Sequence, residues 1–459
     1  MKTINIFILL LFSLQLMSQS DVKVLSFEQA LTQMNNNNFA LKSAEAEKKS
    51  NEYKRKITRG LYLPKISFSA SYMKLDQDVG LDISGFTDAY RDAANIPADK
   101  MLPSSLVLQK EKFAAVNVNF IWPIFNGGKI HAANQAMNAN INEAQYKIEQ
   151  KQNELNTELV QRYYGYRLSK KAVELYQNVY DAMLLHQHNA EKLEENGMIS
   201  KAQLLYANIS VSQAKSDLLN AVNNANTVNN ALKNTLADSS DIDVISELFL
   251  LRNIENVEYF QQAARENNPL LKQVESKKVL AKQNYRIKKA DYLPAVAIVG
   301  NKELAQYQLT HLMPEWFIGV NFRWTIFDGA ARTYKVKAAK ATIDRVDYIE
   351  SKAIADISTY INKLYNEMQS YIEQLKTMST TYNFAQEYLR VQQKAFAEGF
   401  ATSKDLVDAE LTLSKVKVGR LKIMNDYVYT LAKLLEFSGK SDLFLEYSKR
   451  ADREKEEFE

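Results

Sequence analysis

The sequence predicts a mainly α-helical chain that also carries four β-strands of a membrane β-barrel. Three observations support this fold class: the sequence is written twice, each half contains segments in which apolar and polar residues alternate, and each half contains a very long helical stretch. The 459 residues include only 13 Gly and seven Pro, so few residues interrupt the helices. Such long helices are unusual for a compact enzyme.

The composition excludes several classes of protein. With no Cys, the chain has no disulfide, no thiolate nucleophile and no cysteine-ligated metal, and four His provide little material for an imidazole metal site. The 58 Lys and Arg against 54 Asp and Glu give a net charge of +4, and no local basic patch is visible, so no nucleic-acid partner is indicated. We expect no cofactor, no metal and no catalytic constellation.

The amino terminus is typical of a secretory signal peptide. Residues 1–20 begin with the basic Lys2, continue through an apolar run from Ile4 to Leu16 and end among small residues. The alternative is a buried first helix, but the run is too short to cross a bilayer and no stop-transfer charges follow it. No later stretch approaches the length of about twenty apolar residues that a spanning helix needs, so any insertion of the mature chain has to use strands.

The two halves share three groups of motifs at corresponding positions. The matched segments are 62–64 with 292–294, 120–127 with 322–329, and 195–200 with 397–402. Two tandem domains with separate cores are one explanation, but each half lacks the dense apolar core of an independent domain, so we favour one intertwined unit. The predicted division is a signal peptide at 1–20, a first repeat at 21–240, an equatorial linker at 241–256, a second repeat at 257–437 and an equatorial tail at 438–459.

Each half begins with a helix, at about 27–60 and about 257–291, and two strands follow. Residues 66–72 alternate apolar or aromatic side chains with serine, and the same alternation recurs at 116–120 and 316–324, whereas 295–300 is a weaker match. The apolar face needs an apolar environment and the polar face needs water, which predicts lipid outside and a hydrated lumen inside. A soluble sandwich with one face on a core is the alternative. The predicted lipid-facing residues are Phe68, Tyr72, Val118, Phe120, Trp316, Ile318, Val320, Phe322 and Trp324.

Four strands leave two free edges, and unpaired backbone groups in hydrocarbon cost several kcal/mol each. We therefore predict that a single chain cannot be the membrane unit. Two copies would supply about eight strands, and side chains would fill the interior of such a barrel. Three copies would supply about twelve strands and leave room for an aqueous bore. The sequence requires at least two copies.

The longest helices follow the strands, at about 129–195 and about 330–397. Roughly 67 residues of α-helix extend about 100 Å, several times the width of an ordinary domain. Each long helix ends at a glycine turn, Gly197 or Gly399, and a third helix then runs back antiparallel because the connection is so short. We expect the chain between the third helix of the first half and the second half to form a small belt together with the tail after Gly439.

The doubled order of elements and two motifs resemble one family. The first motif is the strand end Trp122-Pro123-Ile124-Phe125-Asn126-Gly127-Gly128 with Phe327-Asp328-Gly329, and the second is Glu398-Gly399-Phe400-Ala401-Thr402-Ser403-Lys404-Asp405-Leu406-Val407-Asp408-Ala409. In these motifs, and over essentially the whole mature chain, the sequence resembles the TolC-type outer-membrane efflux proteins.

The resemblance implies a homotrimer in the bacterial outer membrane, with a twelve-stranded barrel continued by an α-helical barrel through the periplasm. It also implies a passive exit duct of a tripartite efflux pump or a type I secretion system. The implied partners are a periplasmic adaptor (membrane fusion) protein, an inner-membrane RND or ABC transporter, and outer-membrane lipid. A barrel-anchored structural or adhesive trimer is the alternative function.

The resemblance further implies two kinds of site. The helical tips, where an adaptor docks, are Gly197, Met198, Ile199, Ser200, Gly399, Phe400, Ala401 and Thr402. Asp405 and Asp408 match aspartates that line the periplasmic aperture, where threefold symmetry would crowd six carboxylates and raise their pKa; capping by Asp405 is the alternative. Phe396 stands where a Tyr is expected, so opening is predicted to depend on its packing. His186 and His188 are predicted to be surface residues.

Overall fold

The computed structural model describes residues 22–97, 99–309, 314–450 and 453–455, and the predicted signal peptide at 1–20 lies outside the described residues. The helices are α1 (Phe27–Asn37), α2 (Phe39–Gly60), α3 (Ser84–Ala93), α4 (Lys129–Glu195), α5 (Lys201–Leu236), α6 (Val257–Asn267), α7 (Pro269–Ala290), α8 (Ala331–Ala397), α9 (Ser403–Phe437) and α10 (Phe444–Ser448). The strands are β1 (Lys23–Leu25), β2 (Lys65–Lys74), β3 (Val79–Asp82), β4 (Ser105–Gln109), β5 (Lys112–Phe125), β6 (Ile242–Val244), β7 (Phe249–Leu251), β8 (Ala295–Tyr307), β9 (Trp316–Arg323) and β10 (Arg453–Lys455). Within the described ranges, no helix combines the length and apolarity needed to cross a membrane.

The chain divides into two compact units. The first, called the helical unit, contains the described residues up to Lys48, Glu143–Glu275 and those from Tyr348 onwards. The second, called the sheet unit, contains Lys49–Asn142 and Ser276–Asp347. The long helices α4 and α8, each of 67 residues, contribute residues to both units.

The apolar core of the helical unit is built around aromatic side chains. Tyr163 and Tyr164 of α4 pack with Phe27 at ring-centroid distances of 5.5 and 5.6 Å. The Tyr163 hydroxyl donates to the Leu25 carbonyl at 2.7 Å and accepts the backbone N–H of Ser246 at 2.9 Å. Because each polar atom of this buried ring has a partner, the core gains aromatic burial without an unsatisfied hydroxyl.

Four three-residue strands surround this core as two small sheets. β1 pairs parallel with β6, and β7 pairs antiparallel with β10. The Tyr427 hydroxyl donates to the Leu251 carbonyl of β7 at 3.2 Å. These pairings bring part of the segment after α5 beside the amino-terminal strand β1 and another part beside the tail strand β10.

The predicted first helix of each half is interrupted at one asparagine, so its prediction as a single helix was wrong. Asn38 has an extended backbone (φ −62°, ψ 126°), and its side-chain carbonyl accepts the N–H of Ala40 at 2.9 Å. Its side-chain amide donates to the Thr235 carbonyl at the end of α5, at 3.1 Å. Asn268 repeats the arrangement, with its amide donating to the Phe437 carbonyl at 2.7 Å. Each asparagine therefore starts a new helix and ties it to the end of a neighbouring one.

The sheet unit contains a four-stranded antiparallel sheet in the order β2-β5-β8-β9. Its longest strands are β5, of 14 residues, and β8, of 13 residues. The weak signal at 295–300 therefore marks a strand twice as long as predicted. Within the described residues, β2 and β9 each pair with one strand only, so both are edge strands.

The register separates the sheet into an apolar face and a polar face. Phe68 lies directly opposite Val118, and Phe120 is in one row with Gly300 and Ile318. On the other face, the amide of Asn119 donates to the Ser69 hydroxyl at 3.2 Å, and the amide of Asn301 donates to Asn119 at 3.0 Å. All predicted lipid-facing residues within the strands share the first face, and Trp324 follows directly after β9.

The acidic segment between β2 and β5 has secondary structure of its own, which the sequence did not reveal. β3 and β4 form an antiparallel hairpin on either side of α3. Two of its aspartates have local structural contacts: Asp78 accepts the Glu111 N–H at 2.7 Å, and Asp82 accepts the Ser84 N–H at 2.8 Å.

Candidate functional site

The two glycine turns at the helical tips have the same geometry. Gly197 and Gly399 have φ values of +73° and +78°, a region that favours glycine. The N–H of Met198 donates to the Leu193 carbonyl and the N–H of Phe400 to the Ala395 carbonyl, both at 2.8 Å. These are the six-to-one hydrogen bonds of a Schellman motif, which closes the carboxyl end of a helix. The repeat in sequence is therefore also a repeat in structure.

The residues predicted at the tips differ in exposure. Phe400 is 84% exposed and Met198 is 62% exposed. Ile199 is half-buried against a small cluster of Ala190, Leu204 and Ala207. The tips thus present one large apolar side chain from each half, and Ile199 anchors the first turn from inside.

The caps of the returning helices distinguish the two tips. Thr402 and Asp405 form a complete capping box: the Asp405 N–H donates to the Thr402 hydroxyl at 3.3 Å, and the Thr402 N–H donates back to the carboxylate at 2.9 Å. In the first half Ser200 caps the N–H of Gln203 at 3.4 Å, but the buried side-chain carbonyl of Gln203 has no hydrogen-bond partner among the described residues. The second tip is therefore the more completely capped of the two.

Asp405 and Asp408 lie one turn apart at the start of α9. Asp408 is exposed, whereas Asp405 is partly covered by its capping contacts. Hydrogen bonds from the Thr402 hydroxyl and N–H hold the pKa of the Asp405 carboxyl below its ordinary value. Within one chain this shift is opposite in direction to the one that crowded carboxylates would produce. Asp405 thus fills its capping role, and its carboxylate carries charge at neutral pH.

Phe396 is 5% exposed and packs edge-on against His186, with ring centroids 4.8 Å apart. His186 is only 4% exposed, so its prediction as a surface residue was wrong, while His188 is exposed as predicted. Neither ring nitrogen of His186 has a hydrogen-bond partner among the described residues. Burial without compensating hydrogen bonds lowers the pKa of His186.

A groove of about 510 Å³ opens beside this pair, between the last turns of α4 and α8 and the first turns of α9. Apolar side chains form more than half of its lining, and the polar groups come from His186, Asn189, Lys192, Gln393 and Glu410. Burial raises the pKa of the Glu410 carboxyl, against a smaller opposing influence of Lys417. This tip groove therefore favours the neutral forms of both His186 and Glu410.

A sequence signal for the burial of His186 does exist. Val179, Met183, His186 and Ala190 follow each other at spacings of four, three and four residues, and all four are buried. This is the spacing of one helical face. His186 thus belongs to a row of apolar residues on one face of α4. The prediction considered only its two-residue spacing to His188 and therefore missed this row. Among the described residues, no group of acidic or His side chains is arranged to hold a metal ion.

A sheet with one exposed apolar face, joined to helices of 67 residues, defines a channel-forming class of membrane protein built from strands and long helices. The chain belongs to the outer membrane efflux protein family, whose family model matches residues 30–238 and 261–440. Members of this family are outer-membrane channels and not enzymes. The predicted family, outer-membrane location and non-enzymatic nature are thereby confirmed.

Similar proteins are known by sequence and by structure. The alkaline protease secretion protein AprF of Pseudomonas aeruginosa is 19% identical over 209 residues, which cover 44% of each chain. A membrane protein from Pseudomonas aeruginosa has the same fold, with a TM-score of 0.74 at 13% identity over 90% of both chains. The Campylobacter jejuni CmeC outer membrane channel gives a TM-score of 0.71 at 14% identity, over 92% of this chain and 89% of its own. These likenesses confirm the fold class, mainly α with a β-barrel portion.

Proposed function

We propose that the protein is the passive exit duct of a tripartite efflux pump or a type I secretion system and works as a homotrimer. The observation that carries this proposal is the four-stranded sheet, which has two unpaired edges and one exposed apolar face. Backbone edges are not tolerated in hydrocarbon, so neighbouring copies have to complete the sheet. Three copies give twelve strands and a bore wide enough for water.

The polar face of the sheet supports conduction. Its Ser69, Asn119 and Asn301 form a hydrogen-bonded row of neutral side chains. Such a surface discriminates by size and charge, so the inner-membrane transporter would select the cargo. Drugs and small solutes are the cargo that the resemblance to efflux channels suggests, and the name of AprF, a secretion protein, supports polypeptide as a further cargo.

The helical tips are the proposed docking surface for a periplasmic adaptor. Met198 and Phe400 protrude from adjacent turns of the same geometry, and large apolar side chains so exposed are typical of an interaction surface. Two similar tips in each chain would give six in a trimer. An adaptor that grips these turns could move α8 and α9 relative to α4.

The proposed aperture combines charge and packing. Asp405 and Asp408 would surround the narrow end of the duct in three copies, and the contact between Phe396 and His186 would hold α8 against α4 in the resting state. Six carboxylates at one constriction attract cations and oppose anions. Opening would separate the two rings, while Asp405 continues to cap α9.

Single-channel recording of the purified protein in planar bilayers tests this function. We expect stable conductance steps from the wild type. The variant Asp405→Ala/Asp408→Ala should show a higher resting conductance and weaker block by divalent cations, because it loses both the carboxylate charges and the cap of α9. The control is Asp181→Ala/Asp217→Ala, which removes an exposed carboxylate from α4 and a partly exposed one from α5 and is expected to behave as wild type. Absence of conductance steps in the wild type would refute the duct, whereas steps that the Asp405 and Asp408 changes leave unaltered would refute only the aperture.

A further inference from the structure

Basic residues are concentrated in three segments of the sheet unit, and a fourth segment adds Lys129. Residues 54–65, 125–135, 282–295 and 323–340 together contain fifteen Lys or Arg and only two acidic residues, both Asp. The rest of the chain has 43 Lys and Arg against 52 Asp and Glu, so it is net acidic. The sequence shows no single basic patch because the charge is distributed over four separate segments.

The fold brings these segments to one edge of the sheet. Lys65 of β2 pairs with Ile121 near the end of β5, Phe125 pairs with Val296, and Ala295 pairs with Arg323. All four strands therefore begin or end at this edge, where helices α2, α4, α7 and α8 also end or begin. We call this set of basic side chains the basic collar.

Most of the collar has no carboxylate partner. Among the described residues, only Lys129, with Asp291 at 2.7 Å, and Arg332, with Asp328 at 3.3 Å, form ion pairs. The other thirteen contact amides, rings or solvent, such as Arg55 with Asn138 and Lys337 above the Tyr334 ring. Like charges at one edge repel each other unless an external anion compensates them.

Aromatic and apolar groups lie beside the collar. The indole N–H groups of Trp122 and Trp324 donate to the carbonyls of Tyr62 and Tyr292 at 3.0 and 3.1 Å, so both exposed rings are fixed at the ends of the apolar sheet face. Tyr292 and Leu293 also line a cavity of about 520 Å³, to which Arg286 and Lys289 contribute exposed basic side chains. Fixed indoles followed by basic groups are typical of a membrane–water interface.

An aromatic ring and a basic group both contact one of the residues that line the cavity. Trp324 contacts Tyr292, and the Arg332 guanidinium lies 5.2 Å from the Tyr292 ring centroid. Trp324 follows directly after β9, so an aromatic ring next to the last residue of this strand contacts a residue that lines the cavity. The basic groups are thus close to the surface that meets lipid in an outer-membrane protein.

We propose that the basic collar binds the phosphate head groups of anionic phospholipid in the membrane leaflet nearest the long helices, with the cavity at Arg286 and Lys289 as a head-group site. The side chains complement a phosphate in charge, and Leu293 and Val336 offer an apolar wall for the first carbons of the lipid. Such contacts fix the depth of the sheet in the bilayer. The proposal does not depend on the cargo or on the aperture.

The test uses the full-length protein in nanodiscs of phosphatidylcholine with or without phosphatidylglycerol. We expect phosphatidylglycerol to raise the Tm, and Arg286→Gln/Lys289→Gln to abolish that increase and reduce the co-purified phosphatidylglycerol by roughly tenfold at low salt. The matched control, Lys215→Gln/Lys376→Gln, removes two exposed charges from the helical unit and should retain both effects.

Two results would overturn the proposal. Equal phosphatidylglycerol retention by the Arg286 and Lys289 variant and by the control would show that the collar binds no anionic lipid. Unchanged retention accompanied by a shift in the reversal potential of single channels would show that these side chains face the lumen and act on ions instead.

Discussion

The helical unit and the sheet unit bury apolar side chains in opposite ways. In the helical unit, Tyr163, Tyr427 and Phe249 are at most 1% exposed and pack in one core. In the four-stranded sheet, Ala115 is the one residue of the described strands that is buried, and Trp316 and Phe322 are each 62% exposed. The helical unit therefore supplies its own apolar environment, whereas the apolar side chains of the sheet need one from outside the chain, which lipid provides for an outer-membrane protein.

The largest expected effect comes from removing an aromatic ring from the core of the helical unit. Tyr163→Ala deletes the packing on Phe27 and leaves the partners of its hydroxyl unsatisfied, so we expect a loss of about 3–5 kcal/mol in the free energy of unfolding. Urea unfolding of the detergent-solubilised protein, followed by circular dichroism, measures it. Tyr163→Phe, which loses only the hydroxyl contacts, should cost about 1–3 kcal/mol. Equal losses in the two variants would contradict the role assigned to the ring.

In the sheet unit, the effect of a substitution should depend on the face of the sheet that it alters and not on the strand in which it lies. Phe322→Arg places a charge on the apolar face two residues before the interfacial Trp324, and we expect it to cost about 1 kcal/mol of membrane stability, as for a lipid-facing arginine near the interface. The neighbouring change Asn321→Arg lies on the polar face and should cost far less. The fraction of protein that inserts into liposomes measures both effects. The lipid-facing assignment does not survive if Asn321→Arg is as damaging as Phe322→Arg.

The smallest expected effect concerns the tip groove. Burial lowers the pKa of His186. The packing of its neutral ring against Phe396 therefore gives its full stabilisation above the unperturbed pKa of about 6.5, and this stabilisation is lost as the pH falls through the lowered pKa. Glu410, whose pKa burial raises, acts in the other direction: its contribution is lost as the pH rises.

Hydrogen exchange of residues 393–400 should therefore accelerate modestly between about pH 7.5 and about pH 5.5, after correction for intrinsic exchange rates. His186→Leu removes the titrating group from this site and should remove the pH dependence, while His188→Leu, on the exposed side of α4, should preserve it. A pH dependence that persists in His186→Leu would assign the effect to another group.

The sequence predicts best those features that repeat over many residues. The 67-residue helices have little to interrupt them, and alternation over 316–324 is sufficient to assign the faces of β9. The sequence does not reveal features that depend on a contact with residues far away in the chain. Three-residue strands such as β1 are too short to show a period, and the break at Asn38 depends on the Thr235 carbonyl, which is far away in sequence. The burial of His186 likewise depends on Phe396, which belongs to another helix.

The asparagine breaks at Asn38 and Asn268 have a mechanical consequence. A continuous helix fixes the rotational phase of every side chain along its length, so a twist at one end is transmitted to the other. One extended residue interrupts this fixed relation between the side chains on its two sides. The asparagine side-chain amide, which donates to a carbonyl at the end of α5 or α9, holds the junction in place. The rotational phase of the side chains is therefore set separately on the two sides of each asparagine, whereas α4 and α8 keep one phase over 67 residues each.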